Sequence, residues 1–382
     1  MRGVPLAWLQ LTFEKRRFAA ALAGITFAVV LMLMELGLRE VLYRAAARIP
    51  EHVAGELVMI SPQYEFLYAP RTFSERRLYG TLSANGVRAV VPLYLQMGAW
   101  KDPDTRTEHR IAVIGAPPAA EALDLPGLAA ERPKLEEPDA VLFDRGSRPE
   151  YGAIAALLEK TPSVVTEVND RRVRVVGLFD LGATFGSGGH LLASDVTFSR
   201  LFDRPLGAID IGVIQLAPGT DAERVRRDVS ARLPSDVTVV TRAQFARLEA
   251  DYWGRRAAIG FIFDLGAAMG LFVGAVIVYQ ILYTDVVDHL DEYATLKAIG
   301  YRDRYLFSVV LQESAVLSVL GFIPGYAIAE LLYAVARHNA HVPVEMTAAR
   351  AVGVFALTVF MCVASGSLAM RKLTSADPAE IF

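Results

Sequence analysis

Four apolar runs and one long mixed stretch divide this sequence. Residues 18–40 stay mostly apolar for the roughly 20 positions that a spanning helix needs, and 257–284, 306–336 and 351–370 repeat the pattern. From 41 to 256 no stretch is long and apolar enough to span, and Pro, Gly and alternating patterns prevail. The pattern predicts four transmembrane helices with a large water-facing domain inserted after the first. Segment 1–17 places PLAWLQLTF ahead of Glu14, Lys15, Arg16 and Arg17, an amphipathic stretch suited to the membrane interface. Ala45-Ala46-Ala47 imitates a signal-peptide cleavage site, but Glu35, Arg39, Glu40 and Arg44 intervene, so the first run reads as an uncleaved anchor.

Within 41–256, RVRVVGLF from Arg172 alternates after the turn-prone Asn169-Asp170 and reads as one arm of a hairpin. GAIDIGVIQL and DVTVVTR read as further strands. TDAERVRRDVSARL, opened by Thr220 or Asp221, reads as an amphipathic helix. Such a mixture over roughly 200 residues is an α+β domain large enough to bury its own core. AQFARLEADYWGRR, with Phe245, Leu248, Tyr252 and Trp253, reads as a helical stalk running straight into the second span. Gly321, Pro324 and Gly325 predict a bend or tilt in the third span. Segment 337–350, with Pro343, connects the third span to the fourth.

Segment 285–305, DVVDHLDEYATLKAIGYRDRY, is a polar island between two apolar runs. Leu290, Ala294 and Lys297 share one helical face, Asp288 or Asp291 can cap its start, and Gly300 supplies a stop. This describes a short helix at a membrane surface. Tied at both ends to spans, it moves when they move, so a partner gripping it could drive the whole protein. The plainer reading is a solvated turn between two spans.

Composition agrees with a mixed membrane and water-facing chain: 53% of the 382 residues are hydrophobic and mean hydropathy is +0.33. A net charge of -3 with scattered Lys and Arg argues against nucleic acid as a partner. The single cysteine, Cys362, excludes an internal disulfide and reads as a small buried residue. Lys15, Arg16 and Arg17, with Arg371 and Lys372 of the tail 371–382, place both termini and 285–305 in the cytoplasm, although Arg255, Arg256 and Arg350 oppose this. Gly186-Ser187-Gly188-Gly189-His190 lacks the GxSxG spacing and reads as a flexible turn, and His338 and His341 as a solvated helix end rather than a metal site. Glu35, Asp264, Glu313 and Glu330 lie inside or near the ends of the apolar runs. They could form a proton relay, but their depths suggest no continuous path and favour interfacial placement or helix-to-helix hydrogen bonds.

HLDEYATLKAIGYRDRYL, followed by Gln312-Glu313-Ser314, resembles the cytoplasmic coupling segment of DevC-type permeases, within the MacB/FtsX/LolC superfamily of ABC transporters. The resemblance extends to PLYLQMGAW from Pro92, LFDRGSRPEYG from Leu142, VVGLFDLGATFGSGG from Val175, VIVYQILYTDVVDHLDEYATLKAIGY from Val276, GFIPGY from Gly321 and the tail MRKLTSADPAEIF. It implies a MacB-like, type VII architecture: an α-helical membrane domain of four transmembrane helices with an inserted α+β periplasmic domain. It also implies a non-catalytic homodimeric lever in a bacterial inner membrane. A separate DevA-like ATPase, holding ATP and Mg, would dock on Asp288, Leu290, Glu292, Tyr293, Leu296, Lys297, Gly300 and Tyr301, and this chain would hold no cofactor or metal. No GxxxxGK[ST] occurs in these residues, unlike MacB, in which the ATPase is fused to the permease. A DevB-like periplasmic adaptor, or membrane fusion protein, and an outer-membrane channel of the TolC type would pass a glycolipid or other amphiphilic cargo outward. The rivals are the same lever used for lipoprotein release or cell-wall hydrolase control, a membrane sensor with a periplasmic ligand-binding domain, and a proton-driven transporter.

Overall fold

The computed structural model of the chain describes residues 15–289, 295, 299, 303–339 and 342–375. It divides into two compact units, Leu42–Ala258 and Met1–Val41 with Ile259–Phe382.

The Leu42–Ala258 unit is built on nine strands: β1 (Leu57–Ile60), β2 (Val87–Lys101), β3 (Glu108–Ala116), β4 (Ala140–Asp144), β5 (Val164–Val168), β6 (Arg171–Phe179), β7 (His190–Ser194), β8 (Ile211–Leu216) and β9 (Thr238–Thr241). Their order is β9-β1-β8-β2-β3-β7-β4-β6-β5. The long β2 belongs to two sheets. Val87 to Leu93 pair with β8, whereas Tyr94 to Lys101 pair with β3. Trp100 and Lys101 also face Val168 and Glu167 of β5, so the strands from β2 to β5 close into a ring. The β3–β7 and β4–β6 pairs are parallel and the others antiparallel.

The hairpin expected at Asn169-Asp170 joins β5 to β6, pairing Val168 with Arg171. Both turn residues have positive φ, 50° and 58°, as a type I′ turn requires, and Asn and Asp tolerate that conformation. GAIDIGVIQL contributes β8 from Ile211, while Ala208–Ile209 pair with Phe73–Ser74 in a separate two-stranded sheet, and DVTVVTR contributes β9. Two apolar clusters fill the unit, one around Trp100, Phe143 and Phe198, the other around Phe179, Leu192 and Phe245.

Seven helices of eight or more residues are described: α1 (Lys15–Glu51), α2 (Asp195–Phe202), α3 (Ala222–Ser230), α4 (Arg242–Asp251), α5 (Ile259–Asp288), α6 (Asp303–Asn339) and α7 (Ala348–Ser375). Asp221 rather than Thr220 caps α3, accepting from the Glu223 and Arg224 amides. Helices α1, α5, α6 and α7 are each long and apolar enough to cross a membrane. Ile25, Val29, Leu33, Val278, Leu282, Leu317, Met361 and Cys362 lie in one buried cluster among them. Small residues set their approach. A Cβ on Gly321 would meet the Ile25 Cβ at 2.6 Å, and one on Gly325 would meet the Val29 Cβ at 2.8 Å. Through Pro324 α6 remains one helix, and its two glycines admit α1.

Candidate functional site

Two regions carry the functional expectations, the turn that follows α4 and the polar ends of the membrane helices. Thr241 opens α4 with a capping box: its hydroxyl accepts from the Gln244 amide at 3.2 Å, and its own amide donates to Gln244 Oε1 at 2.9 Å. Phe245 is fully buried, whereas Leu248 is largely exposed. One position further on, Glu249 is 1% exposed. The Tyr64 hydroxyl donates to its carboxylate at 2.5 Å, and the Leu67 amide and Trp253 indole also favour its charged form. Burial nevertheless outweighs these bonds and pushes the Glu249 carboxyl up to about 7.

After Asp251 the backbone widens into a π-helical turn, Tyr252–Arg256. Tyr252 stacks on Phe66 with ring centroids 4.3 Å apart, and Trp253 meets Phe66 and Phe185 edge-on at 5.4 and 4.6 Å. Gly254 lies against Tyr43, whose ring fills the space a Cβ would need. Ala258 then turns left-handed, with φ 57°. The uninterrupted helical stalk expected from the sequence is therefore absent. The ring contacts fix Tyr252 and Trp253 in the widened turn, and a left-handed residue ends the α-helical hydrogen-bond ladder before α5 begins.

At the other end of α5, Asp288 is the last helical residue and forms an ion pair with Arg17 of α1. A carboxylate at a helix C-terminus opposes the helix dipole, and Arg17 offsets that charge. Asp288 thus closes α5 rather than opening a new helix, and α5 runs one turn beyond the expected span edge at 284. His289 Nδ1 lies 2.9 Å from the Asp285 carbonyl oxygen. Leu290, Glu292, Tyr293, Leu296, Lys297, Gly300 and Tyr301 lie outside the described residues.

The carboxylates of the apolar runs do not gather into one site. Asp264 pairs with Arg39, and the Glu35 carboxylate packs on Gly266, both at the contact of α1 with α5. Arg337 donates to Glu330 at 3.2 Å and to the Val344 carbonyl at 2.7 Å. Arg350 pairs with Glu40, and its Nη1 lies 3.1 Å from the Tyr333 hydroxyl, which itself donates to the Leu33 carbonyl. Glu313 differs: it is fully buried, and neither carboxylate oxygen has a hydrogen-bond partner among the described residues. The neighbouring Ser314 hydroxyl donates to the Val310 carbonyl instead.

Residues 265–378 match the model of the FtsX-like permease C-terminal domain. The chain is also 25% identical over 245 residues to an uncharacterized ABC transporter permease of Methanocaldococcus jannaschii. That match spans 60% of each chain. Residues 265–378 thus carry an FtsX-like permease C-terminal domain. Among solved structures, the periplasmic region of MacB from Actinobacillus actinomycetemcomitans shares 10% identity at a TM-score of 0.38, covering 52% of this chain and 94% of that chain. The extracellular domain of the noncanonic ABC-type transporter YknZ from Gram-positive bacteria shares 13% at 0.35, covering 48% and 98%.

Sequence reasoning passed over two buried groups of this chain. The stretch read as a flexible turn, Gly186 to His190, is tied down: Ser187 Oγ donates to the Gly189 carbonyl at 2.6 Å, and His190 Nδ1 lies 3.3 Å from Asp144. Burial pushes the Asp144 carboxyl up, but bonds from His190 and from the Gly182 and Leu181 amides together hold it below its usual value. Asp144 and His190 lie 46 positions apart on neighbouring strands, and no spacing rule announces them. Glu249, in the run ARLEAD, looks like one more charge on a solvated helix face.

Proposed function

We propose that the chain is the permease subunit of an ABC-type exporter and works as a lever rather than a pore. One observation carries this reading: the FtsX-like match, 265–378, encloses the polar segment 285–305 between the long helices α5 and α6. A segment anchored at both ends to long helices passes a displacement on to them. A separate DevA-like ATPase, binding Mg and ATP, grips that segment, with Glu292, Lys297 and Gly300 at the contact. The permease is a homodimer in a bacterial inner membrane, with both termini cytoplasmic and the Leu42–Ala258 unit periplasmic. A DevB-like adaptor and a TolC-type channel take over the motion outside, and the cargo is a glycolipid or another amphiphile.

The test is affinity purification from native membranes in mild detergent, with mass spectrometry and an ATPase assay of the eluate. A Walker-containing subunit should copurify. Gly300→Pro, or charge reversal at both Glu292 and Lys297, should abolish the ATPase-coupled transport while expression and membrane insertion stay normal. Normal transport in either variant would refute the coupling assignment. Recovery of the chain alone, without ATPase activity, would favour a membrane sensor.

A further inference from the structure

The Leu42–Ala258 unit contains a cavity of about 510 Å³, within the ~300–1,000 Å³ range of small-molecule sites. Its lining combines two chemistries. Trp253, with Phe66 and Phe185 each in edge-on contact with it, supplies aromatic surface, and Arg110, Arg148 and His109 supply cationic or polar surface.

The polar groups beneath it are already satisfied. Tyr68 and Thr184 share a hydrogen bond through their hydroxyls, and these lie 3.3 and 3.1 Å from His190 Nε2. His190 is held in turn by Asp144. The Tyr151 hydroxyl donates to the Arg110 carbonyl at 2.7 Å. Among the described residues the unused charged donors are the two guanidinium groups, and Glu150 is an unpaired carboxylate of the same lining. Among the described residues neither side chain is hydrogen-bonded or ion-paired, and Glu150, which also lines the cavity, pairs with neither. A guanidinium presents a planar fork of donors that matches an acidic group, and aromatic faces suit a flat apolar body. A cationic ligand would meet two like charges, and a neutral one would leave both forks unanswered.

We propose that this cavity binds an amphipathic organic anion, its flat apolar part against Phe66, Phe185 and Trp253 and its acidic group between Arg110 and Arg148. Trp253 belongs to the π-helical turn, so the occupant touches the segment that leads into α5. Any role of the occupant in export rests on the permease reading, whereas the binding itself does not.

The full chain in lipid nanodiscs would be titrated calorimetrically with naphthalene-2-sulfonate, ionised at every working pH, and with its uncharged analogue 2-naphthalenemethanol. Saturable binding is expected for the sulfonate, at least about tenfold tighter than for the alcohol. Arg110→Gln with Arg148→Gln should reduce the sulfonate to the level of the alcohol, and Trp253→Ala should weaken both ligands. A control, Arg145→Gln with Arg171→Gln, removes exposed arginines that pair with Asp180 and Asp203 away from the cavity and should change nothing. Equal affinity for sulfonate and alcohol, unchanged binding in the Arg110/Arg148 variant, or no heat above that of empty nanodiscs would overturn the proposal. Arg110 and Arg148 are exposed, so thermal unfolding of that variant should match the native chain. Failure of an ATPase to copurify would count against the permease reading and leave this result untouched.

Discussion

Asp144 and Asp210 in the Leu42–Ala258 unit and Glu313 in the membrane unit are all fully buried, yet their surroundings are opposite. Asp144 receives His190 and the Leu181 and Gly182 amides. Asp210 receives both ends of the Arg204 guanidinium, at 2.9 and 3.1 Å, and the Leu95 amide at 2.8 Å. Glu313 receives nothing among the described residues. A buried charge with several donors fixes one arrangement of the chain around it, because any other arrangement leaves donors and acceptor unsatisfied. A carboxylate with no donor fixes nothing and costs a few kcal/mol if charged, so stability does not account for Glu313. The water-facing unit is specified by its buried polar groups, while the membrane bundle is specified by close helix packing at Gly321 and Gly325.

Removing a partner from the specified unit should have the largest effect. Arg204→Met leaves Asp210 with only the Leu95 amide, in a site where burial already pushes its carboxyl above the usual range. Breaking one side of such a pair costs roughly 3–5 kcal/mol. Thermal unfolding followed in detergent should show a large drop in midpoint, largely restored when Asp210→Leu is added. A single variant that unfolds at the native temperature would show that this pair does not specify the fold.

The next effect depends on pH and tests a carboxylate between the two extremes. Glu249 has donors but is raised from its usual 4.5 to about 7 by burial. Because the folded chain binds this proton more tightly than the unfolded chain, the contribution is complete below about 4.5. It is lost as pH rises through about 7. The full span amounts to roughly 3 kcal/mol. Glu249→Gln, which keeps an acceptor for the Tyr64 hydroxyl, should remove that slope and stabilise the chain above pH 7 relative to native. Unfolding midpoints of the two proteins that stay parallel from pH 5 to 8 would contradict it.

These contrasts also mark how far the sequence could be read. Apolar run length identified the segments that became α1, α5, α6 and α7, because twenty consecutive apolar residues have few alternatives. Asn169-Asp170 announced its hairpin through local backbone preference alone. The ring closed by β2 and β5 was not legible, since it depends on Trp100 and Lys101 meeting residues almost 70 positions away. The widened turn at Tyr252 was missed for a related reason: the rings that hold it, Phe66 and Phe185, come from distant segments. Buried polar groups were the least legible, because Glu249 and Asp144 in a string of letters look the same as solvated carboxylates.

The smallest effect should come from Glu313 itself. Replacing Asp144 by Asn keeps one acceptor oxygen but turns the other, which faces the Gly182 amide and His190, into a donor, and a loss of about 2 kcal/mol is expected. Glu313→Gln removes an ionisable group that none of the described residues contacts through a hydrogen bond, at nearly constant volume. Its unfolding midpoint in detergent should therefore move by less than the equivalent of about 1 kcal/mol, and upward if at all. If Glu313→Gln instead destabilises the chain as much as Asp144→Asn, Glu313 has a structural partner and the two units do not differ as argued. If stability is unchanged but the ATPase-coupled transport proposed above falls, the carboxylate acts in a working step rather than in holding the fold together.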